Sequence, residues 1–318
     1  MTDSAAQTSH SPLATPRATR EVLERFGHAA NKSLGQNFLV NDGVVGRIIE
    51  LARPDAQRLV LEVGPGIGTL SLALLSHAAG VVAIERDASL VEVLEHTTDA
   101  DPRFELIQAD AVQATAEQVA NASAAIEQRT GRDLGLPCML VANLPYAVAA
   151  TVIAGFLERF GFLQSATVMV QKEVADRIAA QPGTKQYGAY TVLLRLLAQV
   201  TGRFEVGPGN FMPAPHVDSA VVRLDRCDVF MPDGAAATEL QRKAAAVAAK
   251  AAFAQRRKTI RNSMKAGLAS MGAGVGEDAL LAALDQAGIA PTVRGETLSV
   301  DDYLRLGQAL IDAGARIA

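Results

Sequence analysis

Leu59-Val60-Leu61-Glu62-Val63-Gly64-Pro65-Gly66-Ile67-Gly68-Thr69-Leu70 is the stretch on which the fold turns. Its first five residues, four of them apolar, read as a short buried strand. Three glycines then make a tight turn, and Thr69 to Ser76 continues with helical spacing. A strand, a glycine turn and a helix in that order let backbone come close to a ligand at the end of a parallel sheet. The glycines are spaced GxGxG, with Thr69 where a dinucleotide fingerprint would place its third glycine.

The same alternation extends on both sides. Val44 to Ala52 has helical periodicity, Val81-Val82-Ala83-Ile84 is a second strand, and Leu90 to Leu94 begins another helix. Phe104 to Ile107, Cys138 to Ala142 and Thr167 to Val170 supply a third, fourth and fifth strand. Strands separated by helical patterns predict an α/β, Rossmann-like, mostly parallel sheet. Phe204 to Val206 and Ser219 to Leu224, joined by the Pro/Gly-rich segment Gly207 to Pro215, predict an antiparallel hairpin at one end of it. Beyond Asp225 only helical patterns follow, over Glu239 to Leu268, Glu277 to Ala287 and from Val300. The predicted organisation is a disordered tail over residues 1–30, a catalytic domain over 31–226 and a small all-helical domain over 227–318. Residues 1–30 earn the first label by their Ala, Ser, Thr and Pro content.

Composition narrows the function classes. The chain has 318 residues, 49% hydrophobic and 20% charged, with no apolar run of membrane-spanning length. No secretory signal precedes the first helix, and the expected location is the cytoplasm. Cys138 and Cys227 are too far apart for a metal-ligand pair, and the five histidines form no HxxxH pattern, so no metal is expected. A monomer is sufficient for everything the sequence shows.

Two acids and one loop follow the glycine turn at successive strand ends. Glu85, in Ala83-Ile84-Glu85-Arg86-Asp87, is placed to accept both hydroxyl hydrogens of a ribose. Asp110, in Gln108-Ala109-Asp110, can accept from an adenine amino group. The fourth strand runs into Asn143-Leu144-Pro145-Tyr146. An exocyclic adenine amine is a poor nucleophile, because its lone pair is delocalised into the ring. The Asn143 side-chain carbonyl and the Leu144 carbonyl ahead of Pro145 can accept its N–H bonds and turn the lone pair towards a methyl group. Pro145 stiffens the loop, and Tyr146 offers a ring for a flipped-out base to stack on. Glycine spacing and this loop together disfavour the rival reading, hydride transfer to a nicotinamide.

At this point the chain resembles the ribosomal RNA adenine dimethyltransferase family, and within it the branch acting on small-subunit RNA. Lys32-Ser33-Leu34-Gly35-Gln36-Asn37-Phe38-Leu39 is similar to the family's N-terminal signature. Gln171-Lys172-Glu173-Val174-Ala175 is similar to the segment after its fifth strand, and Phe211-Met212-Pro213-Ala214-Pro215-His216-Val217-Asp218-Ser219 to its target-side loop. The resemblance implies S-adenosylmethionine as cofactor, held by Asn37, Leu39, Gly64, Glu85, Asp110 and Asn143. It implies catalytic roles for Asn143, Leu144, Pro145 and Tyr146, with Phe211 on the other face of the base. The implied substrate is 16S rRNA in the immature small ribosomal subunit, dimethylated on two adjacent adenines near its 3′ end. The chain departs from the family pattern at Ala150-Thr151, Ala189-Tyr190-Thr191 and His216.

A formal net charge of -4 conflicts with a polyanionic substrate. Lys250, Arg256, Arg257, Lys258, Arg261 and Lys265 answer it, for they lie in a run without acids. On one continuous helix most of them share a side, which predicts a basic strip for phosphates. Phe253-Ala254-Gln255-Arg256-Arg257-Lys258-Thr259 is also similar to the family's helical-domain motif. A large-subunit RNA methyltransferase and an assembly factor that binds immature ribosomes remain the alternatives.

Overall fold

The computed structural model describes residues 9–28 and 36–317, and falls into two compact units. Lys32, Ser33, Leu34 and Gly35 of the N-terminal signature lie outside the described residues, as do residues 1–8, 29 and 30 of the expected tail.

The first unit comprises residues 1–175 and 200–225. Its sheet has seven strands: β2 (Leu59–Val63), β3 (Gly80–Glu85), β4 (Phe104–Gln108), β5 (Met139–Asn143), β6 (Ser165–Gln171), β7 (Ala198–Val206) and β9 (Ser219–Arg226), in the order β4-β3-β2-β5-β6-β9-β7. From β4 to β6 neighbouring strands are parallel, and β9 runs antiparallel to β6, with Ser219 opposite Gln171 and Asp225 opposite Ser165. All residues of β2 and β3 are buried. This is why their sequences are unbroken apolar runs and not alternating ones. The strand order reverses between β2 and β5, and a crevice at such a reversal is where open α/β sheets hold ligands.

Helices cover the sheet. Among them α2 (Asp42–Ala52) begins where Asn41 caps it by accepting from the Val44 N–H. It buries Val45, Ile48 and Ile49 against Val60, Val81 and Leu74. The expected α/β fold with a terminal hairpin is therefore present.

Residues 16–25, expected to belong to a disordered tail, instead form helix α1 (Pro16–Arg25). Thr15 caps it through the Ala18 N–H, and Pro16 occupies its first turn, a favourable place for proline. Leu13 is buried with Ile67, Leu90, Val93 and Leu94, and Val22, Leu23 and Phe26 pack on the same cluster. Two backbone N–H groups, of His10 and Ser11, donate to the Asp42 carboxylate at 3.1 and 2.8 Å. A two-stranded ribbon follows, in which β1 (Phe38–Leu39) pairs with β8 (Phe211–Met212).

The second unit comprises residues 176–199 and 226–318. Sequence patterning assigned 176–199 to the catalytic domain, but its side chains pack with the C-terminal helices. Tyr187, just before α8 (Ala189–Arg195), is fully buried. Its ring lies edge-on to Phe253 at 6.0 Å, and its hydroxyl donates to the Leu298 carbonyl at 2.8 Å. The central helix, α9 (Glu239–Phe253), buries six alanines and is crossed by α10 (Ile260–Ser270) and α12 (Val300–Asp312). Small residues set these crossings: a Cβ at Gly267 would lie 2.6 Å from the Ala251 Cα, and one at Gly307 2.5 Å from the Ala245 nitrogen.

The single helix expected over Glu239 to Leu268 is broken at residues 254–259. Ser263 holds the break, accepting from the Gln255 N–H at 2.9 Å and donating to the Ala251 carbonyl at 3.0 Å. No helix among the described residues is long and apolar enough to cross a membrane.

Candidate active site

The carboxyl ends of β2, β3, β4 and β5 surround one pocket in the first unit. Asn37, Leu39, Gly64, Glu85, Asp110, Asn143, Leu144, Pro145 and Tyr146, all proposed from the sequence, line it. Its floor is the glycine turn. Gly64 has φ +67° and Gly66 φ +60°, a left-handed backbone that other residues adopt only with strain. A Cβ on Gly64 would come within 3.3 Å of Pro145, and one on Gly66 within 3.2 Å of the Phe38 ring. The turn thus fits tightly between the proline of the active loop and the aromatic of the N-terminal motif, and a side chain there would press on one of them from strained backbone.

The Glu85 carboxylate is 8% exposed and accepts from the Asp87 N–H at 2.8 Å. Burial raises its pKa, while hydrogen bonds from the backbone of Asp87, Gly66 and Arg86 oppose the rise. Those bonds fix the carboxylate at the pocket wall. Asp110 is held differently, by the Val112 N–H at 2.9 Å and by Arg86 at 3.5 Å.

Glu62, Thr69 and Phe38 also line the pocket, and the sequence reading gave none of them a role in the site. Glu62 lies inside the apolar strand and is 1% exposed. Ser71 donates to it at 2.6 Å, yet burial pushes its pKa up to about 8. A charged residue inside an apolar strand, two positions before the glycine turn, was the available signal. Thr69 is 5% exposed, and its hydroxyl has no hydrogen-bond partner among the described residues. A buried orphan hydroxyl in a pocket wall is costly unless a ligand satisfies it. The third, Phe38, lies over the glycine turn as described above.

Asn143, the last residue of β5, donates through Nδ2 to the Asn37 carbonyl at 3.2 Å. That bond leaves Oδ1 as the free acceptor of the side chain. The Leu144 N–H donates to the Met169 carbonyl at 3.1 Å, and the Val148 N–H to the Pro145 carbonyl at 3.1 Å, closing a turn around Tyr146. The Tyr146 hydroxyl lies 2.6 Å from the Ser219 Oγ. Burial raises the phenol's pKa, so the group is neutral at physiological pH.

Phe211 is not where the sequence reading put it. It is 4% exposed and belongs to the core beside Leu39, Val45 and Ile48, and it does not line the pocket. It pairs with Leu39 in the β1–β8 ribbon, and both belong to that core cluster.

The six basic residues are all exposed but are not one strip. Lys250 lies on α9, Arg256, Arg257 and Lys258 in the break, and Arg261 and Lys265 on α10. Glu277 pairs with both Arg261 and Lys265, cancelling one of their two charges, and the two cations hold its carboxyl down at about 2. Arg256 pairs with Glu296 at 3.0 Å and donates to the Lys185 carbonyl. Lys250, Arg257 and Lys258 form no ion pair among the described residues. The local absence of acids in the sequence was misleading, because the neutralising carboxylates come from α11 (Glu277–Gln286) and the turn at Glu296.

This strand order, with a glycine turn after the first parallel strand and a pocket at the point of reversal, defines a class I methyltransferase. Solved structures share the fold. A dimethyladenosine transferase from Plasmodium falciparum is 22% identical with a TM-score of 0.69, over 88% of this chain and 100% of that one. The 23S rRNA methyltransferase ErmE is 24% identical with a TM-score of 0.61, over 86% and 100%. A sequence profile of the ribosomal RNA adenine dimethylase family matches residues 27–312. The chain is 36% identical to the ribosomal RNA small subunit methyltransferase A of Lysinibacillus sphaericus (strain C3-41), over 96% of its own length and 100% of the relative. It is 37% identical to the protein of the same name from Shouchella clausii (strain KSM-K16), over 94% and 95%. The chain belongs to the ribosomal RNA adenine dimethylase family. It is a methyltransferase that dimethylates adenines of ribosomal RNA.

Proposed function

We propose that the protein uses S-adenosylmethionine to dimethylate the N6 amino groups of two adjacent adenines near the 3′ end of 16S rRNA, in the cytoplasm, while the small subunit is being assembled. The observation that carries the reading is the orientation of Asn143. Its amide nitrogen is engaged by Asn37, so its oxygen is presented as an acceptor beside the Gly64 turn.

The pocket suits the cofactor. Gly64 and Gly66 leave a cradle that any side chain would fill, Glu85 can take ribose hydroxyls, Asp110 an adenine amine, and the orphan Thr69 hydroxyl a polar group of the ligand's amino-acid end. When bound, S-adenosylmethionine supplies a methyl group already activated by its sulfonium charge. The chain's own residues then have to position the amine. In the first transfer Asn143 Oδ1 and the Leu144 carbonyl accept the two N–H bonds, and in the second one of them accepts the single N–H that remains, which turns the nitrogen lone pair out of conjugation. Tyr146 stacks on the flipped base. The protonated product amine is a strong acid and yields its proton to water, so no general base is needed. Lys250, Arg257 and Lys258, which form no ion pair among the described residues, support phosphate binding there, with Arg256, Arg261 and Lys265 as secondary contacts.

Small subunits from cells lacking this methylation, incubated with radiolabelled donor and digested to nucleosides, should yield labelled dimethyladenosine. Label confined to large-subunit RNA, or absent from all RNA, overturns the proposal.

A further inference from the structure

A phenylalanine ring stacks on a base as well as a tyrosine ring does, since both offer the same π-face. The phenol oxygen of Tyr146 therefore needs another explanation than stacking, and the structure offers one outside the loop. Ser219 opens β9, is fully buried, and places its Oγ 2.6 Å from the Tyr146 hydroxyl. The two residues are 73 positions apart in the chain. Register explains how they meet: Asn143 is opposite Met169 on β6, Met169 is opposite Val221 on β9, and Ser219 is two residues from Val221. The loop is thereby anchored twice on the same strand pair. Its backbone is held by Met169, through the Leu144 N–H, and its ring tip by Ser219.

We propose that Ser219 is a positioning residue for methyl transfer, its hydroxyl fixing the angle of the Tyr146 ring on which the target adenine stacks. This rests on the reading of Tyr146 as the stacking platform. Without the bond, a half-buried aromatic side chain regains torsional freedom about χ1 and χ2. The base would then follow the ring through several orientations, and the amine would meet the methyl group in few of them. Misplacement of this kind reduces turnover without touching the cofactor pocket. The phenol's raised pKa agrees with the assignment, since a neutral hydroxyl can share one hydrogen bond with serine in either direction.

The test uses the full chain, S-adenosylmethionine and unmethylated small subunits. Tyr146→Phe removes the bond and keeps the ring; Ser219→Ala removes it from the other side. Each should lower kcat about tenfold, which corresponds to about 1.4 kcal/mol and matches one neutral hydrogen bond. The Kd for S-adenosylmethionine should not change. The double variant should be no slower than either single one, because both delete the same interaction. Singles at the wild-type rate, or a double variant slowed multiplicatively, overturn the inference. If Ser219→Ala fails to fold, Tyr146→Phe alone decides. Tyr146→Ala separates the two layers of the argument: an inactive Tyr146→Ala beside a fully active Tyr146→Phe refutes the positioning role only, whereas an active Tyr146→Ala refutes the platform itself.

Discussion

Replacing Glu62 by glutamine should change how the stability of the free protein depends on pH. The carboxyl is 1% exposed, and burial raises its pKa from 4.5 to about 8, with the nearby Glu85 charge adding to the rise. Between those two values the folded protein binds more protons than the unfolded chain. Stability from this group is therefore complete below about pH 4.5 and is lost as pH rises to about 8. At about 1.4 kcal/mol per unit, the full loss is roughly 5 kcal/mol as an upper bound, of which about half falls between pH 6 and pH 8.5. Glutamine keeps an oxygen to accept from Ser71 and an amide that mimics the protonated acid, but it cannot ionise. Urea denaturation of the ligand-free protein at pH 6 and pH 8.5 measures the effect. Wild type should lose stability over that interval by roughly 2 kcal/mol more than Glu62→Gln. Parallel losses in the two proteins would refute the assignment of a protonated Glu62.

Asn143→Ala removes the amine acceptor and should cut single-turnover methylation by ~10²–10³-fold while changing donor affinity only a few-fold; equal losses in both would assign Asn143 to cofactor binding alone. Gly66→Ala forces a side chain into left-handed backbone at about 1–2 kcal/mol and against Phe38, so calorimetric titration should show S-adenosylmethionine binding weakened about tenfold or more. Arg257→Gln with Lys258→Gln should lower the salt slope of RNA binding by about one per cation. Arg261→Gln with Lys265→Gln should lower it less, because Glu277 already offsets one of that pair's two charges. The reverse ranking would place the RNA on α10.

The parallel strands β2, β3, β5 and β6 were legible in the sequence because burial on both faces leaves them as short, largely apolar runs between turns. The pocket was legible for a related reason: its ligands come from strand ends, where glycines, Glu85, Asp110 and Asn143 stand out against apolar neighbours. Glu62 was not, because a carboxyl inside a strand looks like a boundary residue until its burial is known. Helix α1 was obscured by the Ser, Thr and Pro around it, although Thr15-Pro16 is itself a helix start. Ion pairing misled more seriously. The run from Lys250 to Lys265 lacks acids in sequence, but Glu277 and Glu296 arrive from elsewhere in the chain. Contacts such as Tyr146 with Ser219, or Tyr187 with Phe253, depend on register and helix crossing, which local patterns do not encode.

The second unit is assembled from two separate lengths of chain, 176–199 and 226–318. No single cut divides this protein into its parts. A chain ending after Arg226 would strip Tyr187, Val192 and Leu196 of the helices that cover them and leave a sticky apolar surface attached to an otherwise intact methyltransferase sheet. The excised C-terminal helices would lose the same partners. Recombination between family members therefore has to exchange both lengths together.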